Sequence, residues 1–387
     1  LVETAVSTAD GLAYTYYRYD GLNRLIGTRD SQGHETHVEY DDIHRRVITT
    51  APNGLQTLSI YDHSGLLLSK QTRHAQQDYG TQFYRYDDEG RLIAQTDTEG
   101  NTAYFFYDAR GHLKASVSAR GETLEYDYDE DGRCLQTIHR ANLLDTQNWQ
   151  KRLPVWSSIQ PQAHAYDRIT QTIYNAQGEL AWTIDATGAL MGFRYDAQGH
   201  VIEKRAYAHL VTAFDQNKQY TLNDIQVVAS VDDRIVTYYY DDLGRLRGEM
   251  DAAGSVTEYG YHRLDQVSKR TRYATLAVSR SGEWLRDVPQ ATRRDVSTYY
   301  LYNAVGEKTA EIDPNEDVVE YRYDSRGLLV ETIAYATNLA MDFILNDLST
   351  IDDIRPKAHV NDHHTRLRYN DLNQLIEEIK PNGLTVQ

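Results

Sequence analysis

The chain of 387 residues is poor in several residue types, and each shortage excludes a class of protein. Its single cysteine, Cys134, excludes an internal disulfide framework and any zinc site built on cysteines. No apolar run approaches about 18 residues, and the opening "LVETAVSTAD" has no basic or apolar region typical of a signal peptide. Basic residues are outnumbered, and the formal charge of -17 argues against nucleic acid or an anionic membrane surface as a partner.

Phenylalanine and methionine are also scarce, with 6 and 3 copies, whereas tyrosine occurs 31 times. The apolar material therefore consists largely of rings with a polar tip, which suit the half-exposed surface of a β-sheet. This composition predicts a repeat architecture without a conventional deep core.

Tyrosine recurs with a fixed spacing, which is 21 residues in seven of the intervals. We call these tyrosines anchors: Tyr19, Tyr40, Tyr61, Tyr86, Tyr107, Tyr128, Tyr174, Tyr195, Tyr240, Tyr261, Tyr302, Tyr323 and Tyr369. The next position (+1) is acidic, Asn or His: Asp20, Asp41, Asp62, Asp87, Asp108, Asp129, Asn175, Asp196, Asp241, His262, Asn303, Asp324 and Asn370.

Four residues after the anchor (+4), nine of the thirteen units have glycine: Gly65, Gly90, Gly111, Gly132, Gly178, Gly199, Gly244, Gly306 and Gly327. The other four have Asn23, His44, Asp265 and Asn373. Asn, Asp and His are the residues that best tolerate positive φ after glycine, so +4 is predicted to be left-handed. With the +1 carboxylate accepting backbone N–H groups, each anchor predicts a hairpin turn closed by a bulge.

A second turn follows ten residues later, for example from Asp97 to Gly100, so one unit predicts two antiparallel strands. The two faces of the sheet differ. Two residues before the anchor lies an aromatic-rich row: Tyr17, Val38, Ser59, Tyr84, Phe105, Tyr126, Thr172, Phe193, Tyr238, Tyr259, Tyr300, Tyr321 and Leu367. One residue before it lies a mixed row that we expect to meet water or a polar surface: Arg18, Glu39, Ile60, Arg85, Phe106, Asp127, Ile173, Arg194, Tyr239, Gly260, Leu301, Arg322 and Arg368.

The organisation of the repeats changes along the chain. Residues 1–135 carry simple 21-residue repeats, and residues 136–387 carry pairs of repeats followed by enlarged connections. Tyr207, Tyr273 and Tyr335 each lie 12 residues after an anchor, so the enlarged connections are themselves a repeated element. We expect long hairpin arms with a helical turn at the tip, and two contain "LND" followed by Ile225 or Leu348, where Asn or Asp would cap a short helix.

The predicted fold class is all-β, with tandem hairpins in one continuous sheet and no true domain boundary. Thirteen units give about 26 strands, roughly 125 Å across at about 4.8 Å per strand. Open twisted sheets rarely exceed about ten strands without curling, so the sheet is expected to curve or spiral and to enclose a space. Because the next anchor would fall beyond Gln387, we expect this chain to be an excerpt from a longer repeat protein.

Segments such as "YDDEGRLIAQTDTEG", "YDARGHLKASVSARG" and "YDDLGRLRGEMDAAGSVTEYGY" resemble the YD repeats of Rhs proteins, of the B and C subunits of Tc toxins and of teneurins. The resemblance covers nearly the whole chain and fits the arms least well. It implies a sector of a hollow β-shell, which in bacterial members encloses a C-terminal toxin or effector until delivery. It also implies a secreted or cell-surface location, with neighbouring repeats and the enclosed segment as partners.

The resemblance transfers the role of a wall and no catalytic residue or cofactor. Several bacterial members have an aspartate-dependent, self-cleaving core rich in Asp-Pro elements. Here the single Asp-Pro pair, Asp313 and Pro314, falls in a second-turn position. No nucleophile elbow, P-loop or dinucleotide-binding glycine motif is present, so we expect no enzymatic activity in this chain.

Three features invite a metal interpretation. Asp127, Asp129 and Asp131 imitate the first half of a calcium loop, but the position of its bidentate Glu is Ile138. His34 and His37 are three apart and point to opposite faces of a strand, and His363 with His364 lacks a visible third ligand. We therefore predict no metal site, with the three aspartates as a weak candidate. Cys134 occupies a position filled elsewhere by leucine and is expected to be a small buried hydrophobe.

Two functions remain open from the sequence. The first is a non-catalytic wall that sequesters a toxin or effector. The second is a carbohydrate-binding or receptor-binding adhesive module, in which rows of tyrosine stack on sugar rings and the arms present a surface. The regular phasing of tyrosine with strand pairing favours the wall.

Overall fold

A computed structural model of the chain describes residues 2–8, 11–30, 33–262, 265–339, 349–370, 373–381 and 385–386, with side chains between residues 16 and 381 in these ranges. The described chain is dominated by strands. The first fourteen are β1 Val2–Thr8, β2 Gly11–Tyr19, β3 Leu25–Asp30, β4 Glu35–Asp41, β5 Arg46–Thr50, β6 Gln56–Tyr61, β7 Leu67–His74, β8 Gln77–Tyr86, β9 Leu92–Thr96, β10 Thr102–Tyr107, β11 Leu113–Val117, β12 Thr123–Tyr128, β13 Cys134–His139 and β14 Arg168–Tyr174.

Fourteen further strands are similarly short. They are β15 Leu180–Ile184, β16 Leu190–Tyr195, β17 Val201–Ala206, β18 Arg234–Tyr240, β19 Leu246–Met250, β20 Val256–Tyr261, β21 Val267–Arg272, β22 Val296–Tyr302, β23 Lys308–Ile312, β24 Val318–Tyr323, β25 Leu329–Ala334, β26 His363–Tyr369, β27 Leu375–Ile379 and β28 Thr385–Val386. The predicted all-β fold of tandem antiparallel hairpins is confirmed.

The described chain forms two compact units. One contains residues 1–80, 257–275 and 290–387, and the other contains residues 81–256 and 276–289. Within the first unit β1 to β7 pair in sequence order, as do β20 to β28; within the second, β8 to β19 do so. The division of the repeats at residue 135 stays a prediction.

Four long connections interrupt the hairpins, and we call them arm 1 (residues 140–167), arm 2 (207–233), arm 3 (273–295) and arm 4 (335–362). The described residues of each arm contain one short helical segment: α1 Trp156–Ile159, a 3-10 helix Leu222–Asp224, α2 Trp284–Asp287 and α3 Ile351–Ile354. The predicted helical turns are present, but the expectation of hairpin arms is wrong, because the described residues of the arms contain no strand.

The helix prediction at "LND" is also displaced. In arm 2 those residues form the 3-10 helix themselves, and Thr221 precedes it as the N-cap, with Asp224 completing a reciprocal capping box. The equivalent segment before Leu348 lies outside the described residues.

The arms create local cores that the composition did not predict. In arm 1, Trp149 packs on Tyr104 and Phe106 of β10, together with small residues of β9 and β11. In arm 2, Tyr220 packs on Ile173, Ile184 and Leu190. In arm 4, Tyr335, Ile351 and Ile354 join Leu301, Ala310, Ile312, Val318 and Ile333. The expectation of a fold without a conventional core is therefore wrong wherever an arm covers the sheet.

Candidate functional site

The thirteen anchor turns form the first candidate site, and the turn after Tyr86 shows its construction. The Asp87 Oδ1 atom accepts the backbone N–H groups of Glu89 and Arg91 at 3.2 and 2.8 Å. The N–H of Gly90 donates to the backbone oxygen of Asp87 at 3.0 Å. Because the side chain at +1 satisfies two donors that the tight turn leaves free, aspartate or asparagine is favoured there.

Positive φ is observed at +4 in twelve of the thirteen units. The nine glycines have φ between 75° and 90°, and Asn23, Asp265 and Asn373 have φ of 61°, 60° and 62°. A register shift, typical of a bulge, occurs at the same twelve anchors. The predicted turn geometry is therefore observed in these units.

The exception is the turn after Tyr40, where the prediction for His44 is wrong. Asp41 stays in β4 and pairs with Arg46, and the ladder has no register shift. Four residues, 42–45, therefore lie between the closing residues Asp41 and Arg46, whereas three lie between Asp87 and Arg91 in the usual turn. The left-handed conformation moves to Arg45, with φ of 50°. His44 instead donates from Nδ1 to Asp41 Oδ2 at 2.9 Å.

The residue five positions after the anchor (+5) matches the chemistry of +1. Where +1 is aspartate, +5 is often an arginine or histidine whose side chain reaches the carboxylate: Asp20 with Arg24, Asp87 with Arg91, Asp108 with His112, Asp129 with Arg133, Asp196 with His200 and Asp241 with Arg245. Where +1 is asparagine, +5 is an acceptor: Asn175 with Glu179, Asn303 with Glu307 and Asn370 with Gln374. The two positions thus keep donor facing acceptor although the residues change.

The basic side chain at +5 also reaches the next unit of the repeat. The guanidinium of Arg91 lies 5.0 Å from the ring centre of Tyr107, and the ring of His200 stacks on Tyr240 at 4.6 Å. A Cβ added at Gly132 would lie 2.9 Å from the Nε2 atom of His112. At Gly132, glycine is therefore favoured both by the backbone conformation, with φ of 79°, and by the side chain of the preceding turn.

The anchor hydroxyl completes the link between units. The Tyr107 hydroxyl donates to the backbone oxygen of Leu92 at 2.8 Å, six residues after the previous anchor. In the described part of the chain, the equivalent bond has a length of 2.8–3.1 Å at Tyr40, Tyr107, Tyr128, Tyr174, Tyr195, Tyr240, Tyr302 and Tyr323. We call the chain of contacts from +1 through +5 to the next anchor the turn relay. It explains why Tyr, Asp and Gly recur together.

The arms form the second candidate site. They cover the face of the sheet that carries the residue directly before each anchor. Phe106, Ile173, Tyr239 and Leu301 of that row are 4–6 % exposed. The expectation that this row meets water or a polar surface is wrong at these four positions. The expectation agrees with the structure at Arg18, Glu39, Arg85 and Arg322, which are exposed.

One aspartate closes each arm by binding backbone groups from both of its ends. Asp362 accepts the N–H groups of Ala336 and His359 at 2.9 and 2.7 Å. These bonds lower the pKa of Asp362 below its usual value of 3.8. The same arrangement is made by Asp167, Asp233 and Asp295 in the other arms. We call these four residues the latch aspartates; the sequence signal for them is an Asp directly before the strand that follows each arm.

Buried glutamates tie two arms to the strands beneath them. Glu125, which is 1 % exposed, accepts two bonds from the guanidinium of Arg140 at 2.6 and 3.0 Å. Arg140 also donates to the latch residue Asp167 at 2.8 Å. In arm 4, Arg355 donates twice to Glu320 at 3.0 Å, and the Tyr335 hydroxyl donates to the same carboxylate. Although burial raises the pKa of Glu320, these donors hold it below 4.5.

The three calcium-like aspartates all pair with basic side chains. Asp127 pairs with Lys114, whereas Asp129 and Asp131 both pair with Arg133, at 2.7 and 3.0 Å. Within the described ranges, no group of three His, Cys, Asp or Glu side chains is placed to hold a metal ion.

The remaining candidates take part in local hydrogen bonding. His34 contacts Asp30 at 2.8 Å, His37 contacts Arg18 at 3.1 Å, and His364 contacts Glu331 at 3.0 Å. His363 lies exposed at the start of β26. None of these contacts joins two histidines.

Cys134 is half-buried, whereas the sequence predicted a small buried hydrophobe. Its backbone oxygen serves the turn relay by accepting the Tyr174 hydroxyl at 3.1 Å. Asp313 caps an ordinary second turn, in which its Oδ1 atom accepts the N–H groups of Asn315 and Asp317 at 2.8 and 2.9 Å. The left-handed position of that turn is Glu316, with φ of 67°.

Comparison with known proteins gives the same picture of repeats. Residues 19–57, 107–142 and 240–275 match the family model described as RHS Repeat. The fold is similar to the solved structures of TcdB2-TccC3-TEV and TcdB2-TccC3, with 15% identity to each and TM-scores of 0.52 and 0.53. Both alignments cover 95% of this chain and 18% of the other, so this chain spans less than a fifth of those chains. No curated protein sequence matches it. The predicted resemblance to Rhs and Tc toxin repeats is confirmed.

Proposed function

We propose that this RHS-repeat chain is a non-catalytic section of a shell wall that encloses a C-terminal toxin or effector segment until delivery. In this proposal it is part of a longer secreted or cell-surface bacterial protein. Its partners are the neighbouring repeats and the enclosed segment. No cofactor takes part.

The observation that carries the proposal is the turn relay. In many units the anchor hydroxyl donates to the preceding unit, and in several the basic side chain of that unit lies against the anchor ring, as in Tyr107 with Leu92 and Arg91. Such contacts hold neighbouring hairpins side by side without a deep core, and backbone ladders leave no opening for a protease between paired strands. A barrier of this kind acts by exclusion and needs no reactive group.

The use of the ionisable residues also supports a structural role. The +1 aspartates cap turns, the latch aspartates close arms, and Glu125 and Glu320 bind arginines. Each of these carboxylates has a partner that fixes its geometry, which differs from a pair of acids set apart for proton transfer. Among the described residues, no helix is long and apolar enough to cross a membrane.

The alternative of sugar stacking on the tyrosine row two residues before the anchors has weaker support. These side chains are half-buried, and several contact neighbouring strands. The Lys308 ammonium lies 5.6 and 4.3 Å from the ring centres of Tyr300 and Tyr321. The tyrosines are thus used for pairing across the sheet.

The proposal is tested by protease protection in the intact gene product. We expect the segment that follows the shell to resist trypsin when it is expressed in one chain with the shell, and to be cut when expressed alone. Mass spectrometry of the fragments over time gives the measurement.

A mixture of the separately expressed shell and segment is the matched control, because it contains both components without enclosure. Equal cleavage rates for the segment in the intact chain and in the mixture would contradict the wall function. Trp149→Ala, which removes an arm contact, should increase cleavage more than Leu143→Ala, since Leu143 is 64% exposed in the same arm.

A further inference from the structure

Arm 2 borders a cavity that is open to the surface and that the wall function does not use. The cavity has a volume of about 800 Å³, within the range of about 300–1,000 Å³ typical of small-molecule sites. Leu190, Val211 and Ile225 provide apolar lining, and polar side chains from both halves of the arm surround it. All of these residues lie in the same compact unit.

The strand beneath arm 2 departs from the pattern of arms 1 and 4. The residue three positions before the last anchor that precedes the arm is Glu125 for arm 1 and Glu320 for arm 4. For arm 2 it is Gly192. The Trp182 side chain covers Gly192, where an added Cβ would lie 2.6 Å from the ring. Arm 2 therefore lacks the buried glutamate–arginine contact of arms 1 and 4, and Tyr207 contacts Trp182 instead, at 5.5 Å between ring centres.

Other contacts hold the wall of the cavity in place. Gln171, which is 2 % exposed, donates to the backbone oxygen of Lys218 at 2.7 Å and accepts the N–H of Tyr220 at 3.0 Å. Tyr220 stacks on Phe214 at 5.8 Å, and its hydroxyl accepts the N–H of Asp215 at 2.9 Å. Of these residues, Lys218 lines the cavity, and its backbone is held by Gln171 before a ligand arrives, which lowers the entropic cost of binding there.

Four polar side chains of the lining are available to a ligand. His209, Thr212, Asn223 and Gln226 have no side-chain hydrogen-bond partner in the described part of the chain. Together they supply hydrogen-bond donors and acceptors around an apolar patch.

The charges at the cavity compensate each other. Lys218 Nζ lies 2.7 Å from Asp224 Oδ1, and Asp224 Oδ2 also accepts the N–H and hydroxyl of Thr221 at 2.8 and 2.6 Å. A phosphate or carboxylate would compete with Asp224 for Lys218, and a cationic ligand would compete with Lys218 for Asp224. The pairing favours a neutral ligand with several hydroxyl groups.

We propose that the arm 2 cavity binds a neutral saccharide of one or two rings. The apolar C–H face of a sugar ring would lie on Leu190, Val211 and Ile225, while Asn223 and Gln226 would bind its hydroxyls. This site is distinct from the tyrosine row, and its binding does not depend on whether the wall encloses a toxin.

The test is a titration of the intact chain with neutral monosaccharides and disaccharides, followed by NMR of the arm 2 amides and by calorimetry. A uronic acid and a hexosamine serve as charged probes. We expect saturable binding of at least one neutral sugar and at least tenfold weaker binding of its charged analogues.

Asn223→Ala and Gln226→Ala should each weaken binding at least tenfold, and Thr212→Trp should abolish it by filling the cavity. Gln198→Ala, an exposed turn residue away from arm 2, should bind as the unaltered chain does. The amide spectrum outside arm 2 reports whether each variant is folded. Absence of saturation with every neutral sugar at millimolar concentration, preference for a charged probe, or equal binding by all variants would overturn the proposal.

Discussion

The arm-free repeats between residues 16 and 86 and the repeats beneath the arms use the same turns but differ in their interior. In the arm-free region, no described hydrophobic side chain is buried, whereas arms 1, 2 and 4 each complete a buried cluster. The Asp20–Arg24–Tyr40 contacts nevertheless repeat those of Asp87, Arg91 and Tyr107. The turn relay is thus enough to align strands, and the arms add a core to an alignment that already exists.

The largest expected effect comes from removing the ring that an arm buries. Trp149→Ala should destabilise arm 1 and β9 to β11 by about 3–5 kcal/mol, because it leaves a cavity against Tyr104 and Phe106. Hydrogen exchange of these strands measures the local change. Leu143→Ala is the control, and protection in β4 to β6 should not change. Equal loss of protection in both regions would show that the arm-free repeats depend on the arms.

A similar loss is expected when a buried carboxylate loses its arginine. Arg140→Met should cost about 3–5 kcal/mol, since Glu125 and Asp167 are left buried without their cation. Arg194→Met removes an exposed pair with Glu203 and should cost no more than about 1 kcal/mol. Hydrogen exchange of arm 1 and β12 makes the comparison, and similar effects of the two changes would contradict the assigned role of burial.

The latch aspartates predict an acid-sensitive loosening of the arms. The folded-state pKa of Asp362 is lowered by its backbone donors, so its contribution is full above the unfolded value near 3.8 and is lost as pH falls through the folded value. Arm 4 amides should exchange faster at acid pH after correction for intrinsic rates. Asp362→Ala should cost about 1–3 kcal/mol at neutral pH and remove this part of the pH dependence. An unchanged pH profile in the variant would exclude the latch as its source.

Loss of one anchor hydroxyl should have a smaller effect. Tyr107→Phe keeps the ring under Arg91 but removes the bond to Leu92, at an expected cost of about 0.5–1.5 kcal/mol. The exposed Tyr166→Phe provides the control. Exchange of the amides in β9 and β10 measures the change. If the two variants were equally stable, the hydroxyl bond would have no part in the relay.

The smallest predicted effect tests the matching of +1 and +5. Asn303→Asp places a carboxylate against Glu307 and should destabilise the turn by about 0.5–1 kcal/mol, more at low salt. Adding Glu307→Arg should restore stability by recreating the pairing of Asp20 with Arg24. Exchange at Gly306 and Glu307 gives the readout. A double variant no better than Asn303→Asp would show that position, and not charge matching, decides stability.

The repeated turns could be predicted because the conformation of one residue limits its identity. Positive φ at +4 restricts the choice to glycine and a few others, and Asn23, Asp265 and Asn373 follow this rule. His44 did not, because one extra loop residue moved the left-handed position to Arg45. A residue that tolerates positive φ does not by itself determine loop length.

The arms could not be predicted in the same way, because their contacts join residues far apart in sequence. Trp149 meets Phe106, and Arg355 meets Glu320, with no local pattern that specifies either pair. One signal was present but was not used. The row before the anchors changes from charged to apolar at Phe106, Ile173, Tyr239 and Leu301, which is where an arm covers the sheet. The cavity of arm 2 depends on how a loop folds over that row, which sequence spacing does not determine.

The bond from the anchor hydroxyl is also present where an arm separates its two residues in the sequence. Tyr174 reaches Cys134, and Tyr240 reaches Val201, across 40 and 39 residues, with nearly the same length that Tyr107 and Leu92 have across 15. An arm can therefore change in length or content without changing the spacing of the strands on either side. Foreign loops could therefore be inserted where the arms leave the hairpins, and the strand order of such a protein would be kept.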